Sequence, residues 1–503
     1  MILVYTRKQV MEFHKLGFAL FLFLLLCQPP QAQQDEKKEN TNCQRKELKR
    51  FTDFESEYKT FQDTINAKFA KFESEVWQRY ETVRRDPKPH RPVDSLDRED
   101  TITKSLAVGN IQAPATHHSQ PWPTRKITIP KNQSSTLFSF RFYNTPCEVS
   151  LSDSQRIKLP AIKQKYISAA WKSLKTEQTD LTLLDCLSYR EALNLSDWGY
   201  IDFLKTLTEA FYGGACPEAV LTQTYLLTQS GYTARLIKSH YLLYLTVPFL
   251  EDVDNLKSTE INGKKFYFIT KSAPTSQYVY NHELPQDRPS SLYQSGVPRL
   301  IENLATIKTF TAEKYPSLFA NISVNSNLID YYKNYPTSKQ WPYYVITSLS
   351  NTVKKSLYPV LKVQLEFKNQ QEAVSLLLDF VNTAFPYQTD KAQFNEERPL
   401  FGDEMFFYPF NDCEDRAILF AILVREMLKL DVVLVHYPGN PKKPEKPGHL
   451  ATAVKFTEAR PAGNYFSLED GDYVVCDPTP DNTSIGKWKQ RYQDVLPNII
   501  RIQ

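Results

Sequence analysis

Glycine is scarce in this chain, at 14 of 503 residues, whereas aromatic residues make up 13%. With 41% hydrophobic residues, material for a packed core is ample. Cysteine is sparse too: Cys27, Cys43, Cys147, Cys186, Cys216, Cys413 and Cys476. That density is far below a disulfide scaffold, although one or two bridges could form in an oxidising compartment. Neither a CxxC nor an HExxH spacing occurs, so no metal site and no cofactor are expected. No long basic run is present and the net charge of +4 is small, which argues against a nucleic-acid partner. The apolar run Leu16–Leu26 falls short of the roughly 20 residues a spanning helix needs, so no membrane span is expected.

That run does fit an export signal. Arg7, Lys8 and Lys15 precede it and a cleavage point follows Ala32, so residues 1–32 read as a signal peptide. The mature protein is then expected in the periplasm, at the cell surface or secreted. A lipid anchor at Cys27 is the less favoured reading, because Leu26 stands where a small residue belongs. Residues 44–85 carry an apolar stripe, Phe51, Phe54, Tyr58, Phe61, Ile65, Phe69, Phe72 and Val76, at the three-or-four-residue steps of one helix face. This long amphipathic helix would pack on the body of the protein or, second, meet an envelope partner. Residues 86–135 are proline-rich without sustained periodicity and read as a linker.

From about residue 136 the pattern is globular, and the length predicts two or three domains. The expected divisions are 136–290, a helical connecting region 291–365, and 366–503. Strands are predicted at 137–143 and 361–367, and helices at 159–174, 181–192, 199–212, 343–357 and 371–385. Two stretches share an order of elements: 203–270 and 376–479 each read as a helix, a cysteine at a second helix start, then strands. In this pairing Cys216 answers to Cys413 and His240 to His449, while Ile269 or Thr270 stands where the second stretch has Asp477. The first copy is therefore expected to be degenerate and structural.

The chemistry concentrates in the second copy. In "YPFNDCEDRAILFAILV", Asp412 is a good N-cap and Asp415 places negative charge in the first turn, so Cys413 falls at the start of a mostly buried helix. Unpartnered N–H groups there favour a thiolate and would hold an oxyanion. Asp412, Glu414 and Asp415 oppose the thiolate unless they cap the helix or pair with Arg416. His449 opens the strand "HLATAVKF", and Asp477 ends the strand "YVVCD". The order Cys413, His449, Asp477, with gaps of 36 and 28 residues, supplies nucleophile, base and orienter. His436 is a competitor better explained as a core or turn histidine. Cys476 alternates to the opposite face from Asp477 and reads as core packing.

The segment 376–479 resembles the core of the transglutaminase-like superfamily, in particular its bacterial cysteine-protease-like branch. The residues carrying the likeness are "NDCEDRAILFAILVREMLKLDVV", "GHLATAV" and "DYVVCDPT". The resemblance implies an α+β fold with a papain-like core, a cysteine-bearing helix packed on an antiparallel sheet, and a Cys413–His449–Asp477 triad. It departs in the insertion-like loop 437–448. The expected function is an exported thiol acyl-transfer enzyme, a cysteine peptidase or amidase acting on a protein or peptide substrate. The alternative is a non-catalytic scaffold or binding protein of the cell envelope.

Overall fold

The computed structural model describes residues 103–113, 136–270, 274, 278–279, 288–439, 448–479, 483–487, 489, 492 and 494–502. The expected signal peptide (1–32, with Cys27), the helix 44–85, most of the linker 86–135 and the loop 440–447 lie outside the described residues. Residues 99–503 form one compact unit, mixed α+β in class.

The described chain begins with β1 (Ile111–Gln112), then the hairpin β2 (Leu137–Phe142) and β3 (Thr145–Ser150). Four helices follow: α1 (Gln164–Ser173), α2 (Glu177–Ala192), α3 (Asp197–Tyr212) and α4 (Pro217–Gln229). Ser196 caps α3 by accepting from Gly199 N–H, and Gly213, at φ +80°, ends it in a conformation that glycine adopts at least cost. The strands β4 (Arg235–Ser239), β5 (Leu242–Val247), β6 (Ser258–Ile261), β7 (Lys264–Phe268) and β8 (Tyr278–Val279) make a sheet in the order β6-β7-β5-β4-β8.

A hairpin, β9 (Lys308–Thr311) and β10 (Phe319–Ile322), leads into helices α5 (Ser326–Lys333), α6 (Trp341–Thr347), α7 (Asn351–Leu365) and α8 (Gln370–Thr383). The strand predicted at 361–367 is instead the last turns of α7. The alternation of Leu361, Val363, Leu365 and Phe367 suggested a period of two. The helical stripe Val353, Leu357, Leu361 is what is buried, and Val363 and Phe367 are left 67% and 96% exposed. Pro359 is accommodated inside this helix.

Short helices α9 (Asp390–Phe394) and α10 (Glu404–Phe407) precede α11 (Cys413–Leu423), which continues as a π-helical turn over Val424–Leu428. Then come β11 (Asp431–Tyr437), β12 (His449–Lys455), β13 (Tyr465–Leu468), β14 (Gly471–Val475) and β15 (Asn498–Arg501). Their sheet runs β1-β15-β11-β12-β14-β13.

The two sheets share one plan. Strands β6, β7, β5, β4 and β8 take the same order as β13, β14, β12, β11 and β15, and every corresponding pair is antiparallel. A helix packs on each: α4 on β5 and β4, α11 on β12 and β11. The main core runs continuously through both halves, from Phe203 and Tyr225 to Leu419 and Val454. The face of the second sheet turned away from that core is covered by residues 105–112. Ser105 pairs with Tyr465 at one edge, β1 joins β15 at the other, and Leu106 packs with Val433, Tyr437 and Tyr492.

Candidate active site

Cys413 is the first residue of α11. The preceding Asp412 and Asp415, the third helical residue, form a capping box, with Asp415 Oδ2 accepting from Asp412 N–H at 3.2 Å. Asp415 Oδ1 also accepts from Leu400 N–H at 2.8 Å. Two of the three acids beside the cysteine are thus consumed by backbone donors. Arg416 lies close enough to feel the Asp412 and Asp415 charges, but its Nε donates to Asn411 Oδ1 (3.1 Å) and its Nη2 to the Phe385 carbonyl (2.6 Å). It also lies over the Tyr387 ring, 5.2 Å from the centroid, and so ties residues 385–387 to the helix start.

Glu414 is the acid that faces the sulfur. The Cys413 thiol donates to Glu414 Oε2 at 3.2 Å rather than to His449. Burial, then the Glu414 and Asp412 carboxylates, push this thiol well above its ordinary pKa, so the resting sulfur is protonated. The Leu450 backbone N–H is aimed at the sulfur and offsets part of the rise. Leu450 follows His449 on β12, so the helix start and the histidine lie at the same end of the sheet, but on opposite faces: Leu450 packs with α11 in the main core, whereas the His449 imidazole stacks with Tyr437 and Tyr492 on the other side.

His449 and Asp477 meet as the sequence predicts. His449 Nε2 and Asp477 Oδ2 are 2.8 Å apart, and the two side chains are 2% and 5% exposed. Burial alone would raise the Asp477 carboxyl; the facing His449 and its hydrogen bond, helped by Lys489, overcome that and hold it below its ordinary value. The aspartate is therefore the acceptor and Nε2 carries the proton, which leaves Nδ1 as the nitrogen able to take one. Asp477 is fixed in turn by Thr479 N–H, which donates to Oδ1 at 3.1 Å. The imidazole stacks on Tyr492, with ring centroids 5.2 Å apart and planes 4° from parallel.

His436 pairs with Leu450, next to the Tyr437–His449 pair, and is tilted against Trp341 with ring centroids 4.8 Å apart. Burial, then the Lys339 and His449 charges, lower it to about 4, so it is a neutral, half-buried imidazole. Cys476 is fully buried in the main core, on the face opposite Asp477.

The first sheet carries other residues at the corresponding positions. Cys476 N–H donates to the Thr452 carbonyl, and Ile269 N–H donates to the Leu245 carbonyl, so Thr270 occupies the place of Asp477. The pair Ser239–Leu242 closes β4–β5 as Tyr437–His449 closes β11–β12, so Leu242 occupies the place of His449. The pairing of His240 with His449 is thereby corrected. His240 sits in the hairpin turn, at φ +52°, two residues before the corresponding position. Cys216 is offset as well: it is the N-cap of α4, its sulfur accepts from Ala219 N–H at 3.4 Å, and Pro217 is the first helical residue.

One part of the site had no motif in the sequence. Asp390, from α9, places its carboxylate among Asp412 and Asp415, with ligand atoms within 4.8 Å of one another, and Asp390, Glu397 and Glu414 form a second such group. Asp412, Cys413 and Glu414 form a third. These residues could hold a cation, but acidic groups this close occur commonly without one. Burial and the Asp412 charge raise Asp390 to about 8, which shows how protonation relieves the crowding. Behind them Arg398 and Glu404 form a buried ion pair, and Arg398 N–H donates to Asp390 Oδ2 at 2.7 Å. No family model, curated protein or solved structure matches the chain.

Proposed function

We propose that this protein is a thiol acyl-transfer enzyme of transglutaminase-like type, with a papain-like core in its second half, that cleaves peptide or isopeptide bonds. The observation that carries the reading is the buried 2.8 Å His449–Asp477 bond at the end of the sheet where the Cys413 helix begins. A histidine so held carries its proton on Nε2 and keeps Nδ1 as its basic nitrogen.

In this reading Cys413 passes its proton to His449 Nδ1, and the sulfur attacks the substrate carbonyl. N–H groups of the first turn of α11 hold the oxyanion. His449 returns the proton to the leaving amine, giving a thioester. Water then attacks the thioester, His449 takes its proton and returns it to sulfur, and a carboxylic acid leaves. A lysine amine in place of water would give cross-linking. The thiol must first leave Glu414 and meet His449 around the strand end, since the imidazole lies on the sheet face opposite α11, so the resting site is a protonated, latent one. The export reading of residues 1–32 places this chemistry in the envelope or outside the cell.

The second reading, a scaffold that keeps the fold, is favoured by that thiol–Glu414 bond. A peptidyl electrophile such as an epoxysuccinyl peptide separates the two. The enzyme reading expects one adduct, at Cys413, abolished in Cys413→Ala and slowed at least tenfold in His449→Ala. Labelling of Cys413 no faster than of Cys216 supports the scaffold instead.

A further inference from the structure

We infer that Tyr492, backed by Tyr437, is the positioning residue for His449: its ring sets the plane of the imidazole and favours the imidazolium form. The inference rests on the acid–base role proposed above.

A single hydrogen bond at Nε2 fixes the position of one nitrogen but leaves the ring able to turn about the line to Asp477. The plane of the ring decides where the Nδ1 lone pair points, so a second constraint is needed. Tyr492 supplies it. The Tyr492 ring lies 4° from parallel to the imidazole at 5.2 Å, and the Tyr437 ring lies 25° from Tyr492 at 5.0 Å and 21° from His449 at 6.1 Å. These are offset-stacked geometries, which aromatic pairs prefer. Both tyrosines are almost fully buried, so the stack also keeps water from the His449–Asp477 bond and strengthens it. The π face of Tyr492 gains further when the imidazole is charged.

The fold itself does not require these rings. In the first sheet Ser239 and Leu242 stand where the second has Tyr437 and His449, and the strands pair in the same way. Tyr437 and the histidine are absent from that sheet together, as expected if the stack serves the histidine.

The groups that face or influence His449 are Asp477, His436 on β11, the two tyrosines, and Lys489 acting on Asp477. The test uses the full chain with ¹⁵N-labelled histidine, following the His449 titration and tautomer by NMR in wild type, Tyr492→Phe and Tyr492→Leu. His449→Ala assigns the signal. Phe keeps a π face and is expected to titrate as wild type. Leu keeps bulk without one, and is expected to lower the midpoint by about 0.7 pH unit and weaken the Nε2–H preference. Alkylation of Cys413 at pH 7 should fall several-fold in the Leu variant only. If Tyr492→Leu does not fold, Tyr492→Met makes the same comparison. A Leu or Met variant that titrates like wild type overturns the inference. Should His449→Ala leave alkylation unchanged, the enzyme reading fails, while the titration still decides the role of Tyr492.

Discussion

Asp477 Oδ2 accepts the Nε2 proton of His449 at 2.8 Å, in a pocket where neither side chain exceeds 5% exposure. The bond sets the tautomer, so Asp477→Asn should present the wrong nitrogen to the thiol. Cleavage or probe labelling is expected to fall by about a hundredfold or more. The same bond has a stability signature. The folded carboxyl lies below its unfolded value of about 3.9, so its contribution is present above that pH and is lost as pH falls through the folded pKa. Thermal melts of wild type should therefore drop toward those of Asp477→Asn below about pH 4. A constant gap down to pH 2.5 would deny the assignment.

Asp390 has the opposite sign. Its carboxyl is raised to about 8, so the stability tied to its proton is full below about pH 3.9 and is lost as pH rises toward 8. Asp390→Asn keeps an acceptor for Arg398 N–H and removes the charge beside Asp412. The variant should gain on wild type steadily between pH 4 and 8, by at least about 1.4 kcal/mol at the upper end, one pKa unit's worth. Urea melts at pH 5 and pH 8 check this; equal gains at both would contradict it.

Glu414→Gln probes the latent thiol. In wild type the sulfur must ionise beside Glu414 at hydrogen-bond distance, and burial and the Asp412 charge raise that carboxyl well above its ordinary value. Removing the charge Glu414 takes on as pH rises should move the Cys413 alkylation profile to lower pH, with about tenfold faster reaction at pH 8. Peptide mass spectrometry with graded pH reads the shift. An unchanged midpoint would mean that Glu414 does not hold the thiol.

The Arg398–Glu404 pair is buried on both sides, at 9% and 0% side-chain exposure. Arg398→Met would strand Glu404 and leave Asp390 without its neighbouring cation. A loss of about 3–5 kcal/mol in denaturant melts is expected, against near neutrality for a pair that merely decorates the surface.

The sequence was legible where one periodicity or cap dominates. Asp412 and Asp415 marked the start of α11, and the apolar strands β11, β12 and β14 carried His449 and Asp477 to the same end of one sheet. It misled where two periods fit: Leu361, Val363 and Leu365 alternate like a strand, yet Val353, Leu357 and Leu361 bury a helix face. The repeat was readable as an order of elements but not as a register, because the short β4–β5 turn drew His240 two residues out of place. Asp390 and Tyr492 left no signal at all. Each reaches the site through tertiary packing, Asp390 from 22 residues before Asp412 and Tyr492 from a turn after β14.

The central claim is that His449 serves as the base for Cys413. The direct measurement is the rate of Cys413 alkylation by iodoacetamide from pH 5 to 10 in wild type and His449→Ala. The account predicts a neutral-pH limb in wild type that disappears in the variant, with at least a tenfold loss at pH 7. Superimposable profiles would contradict it and leave the protein a scaffold with an inert thiol.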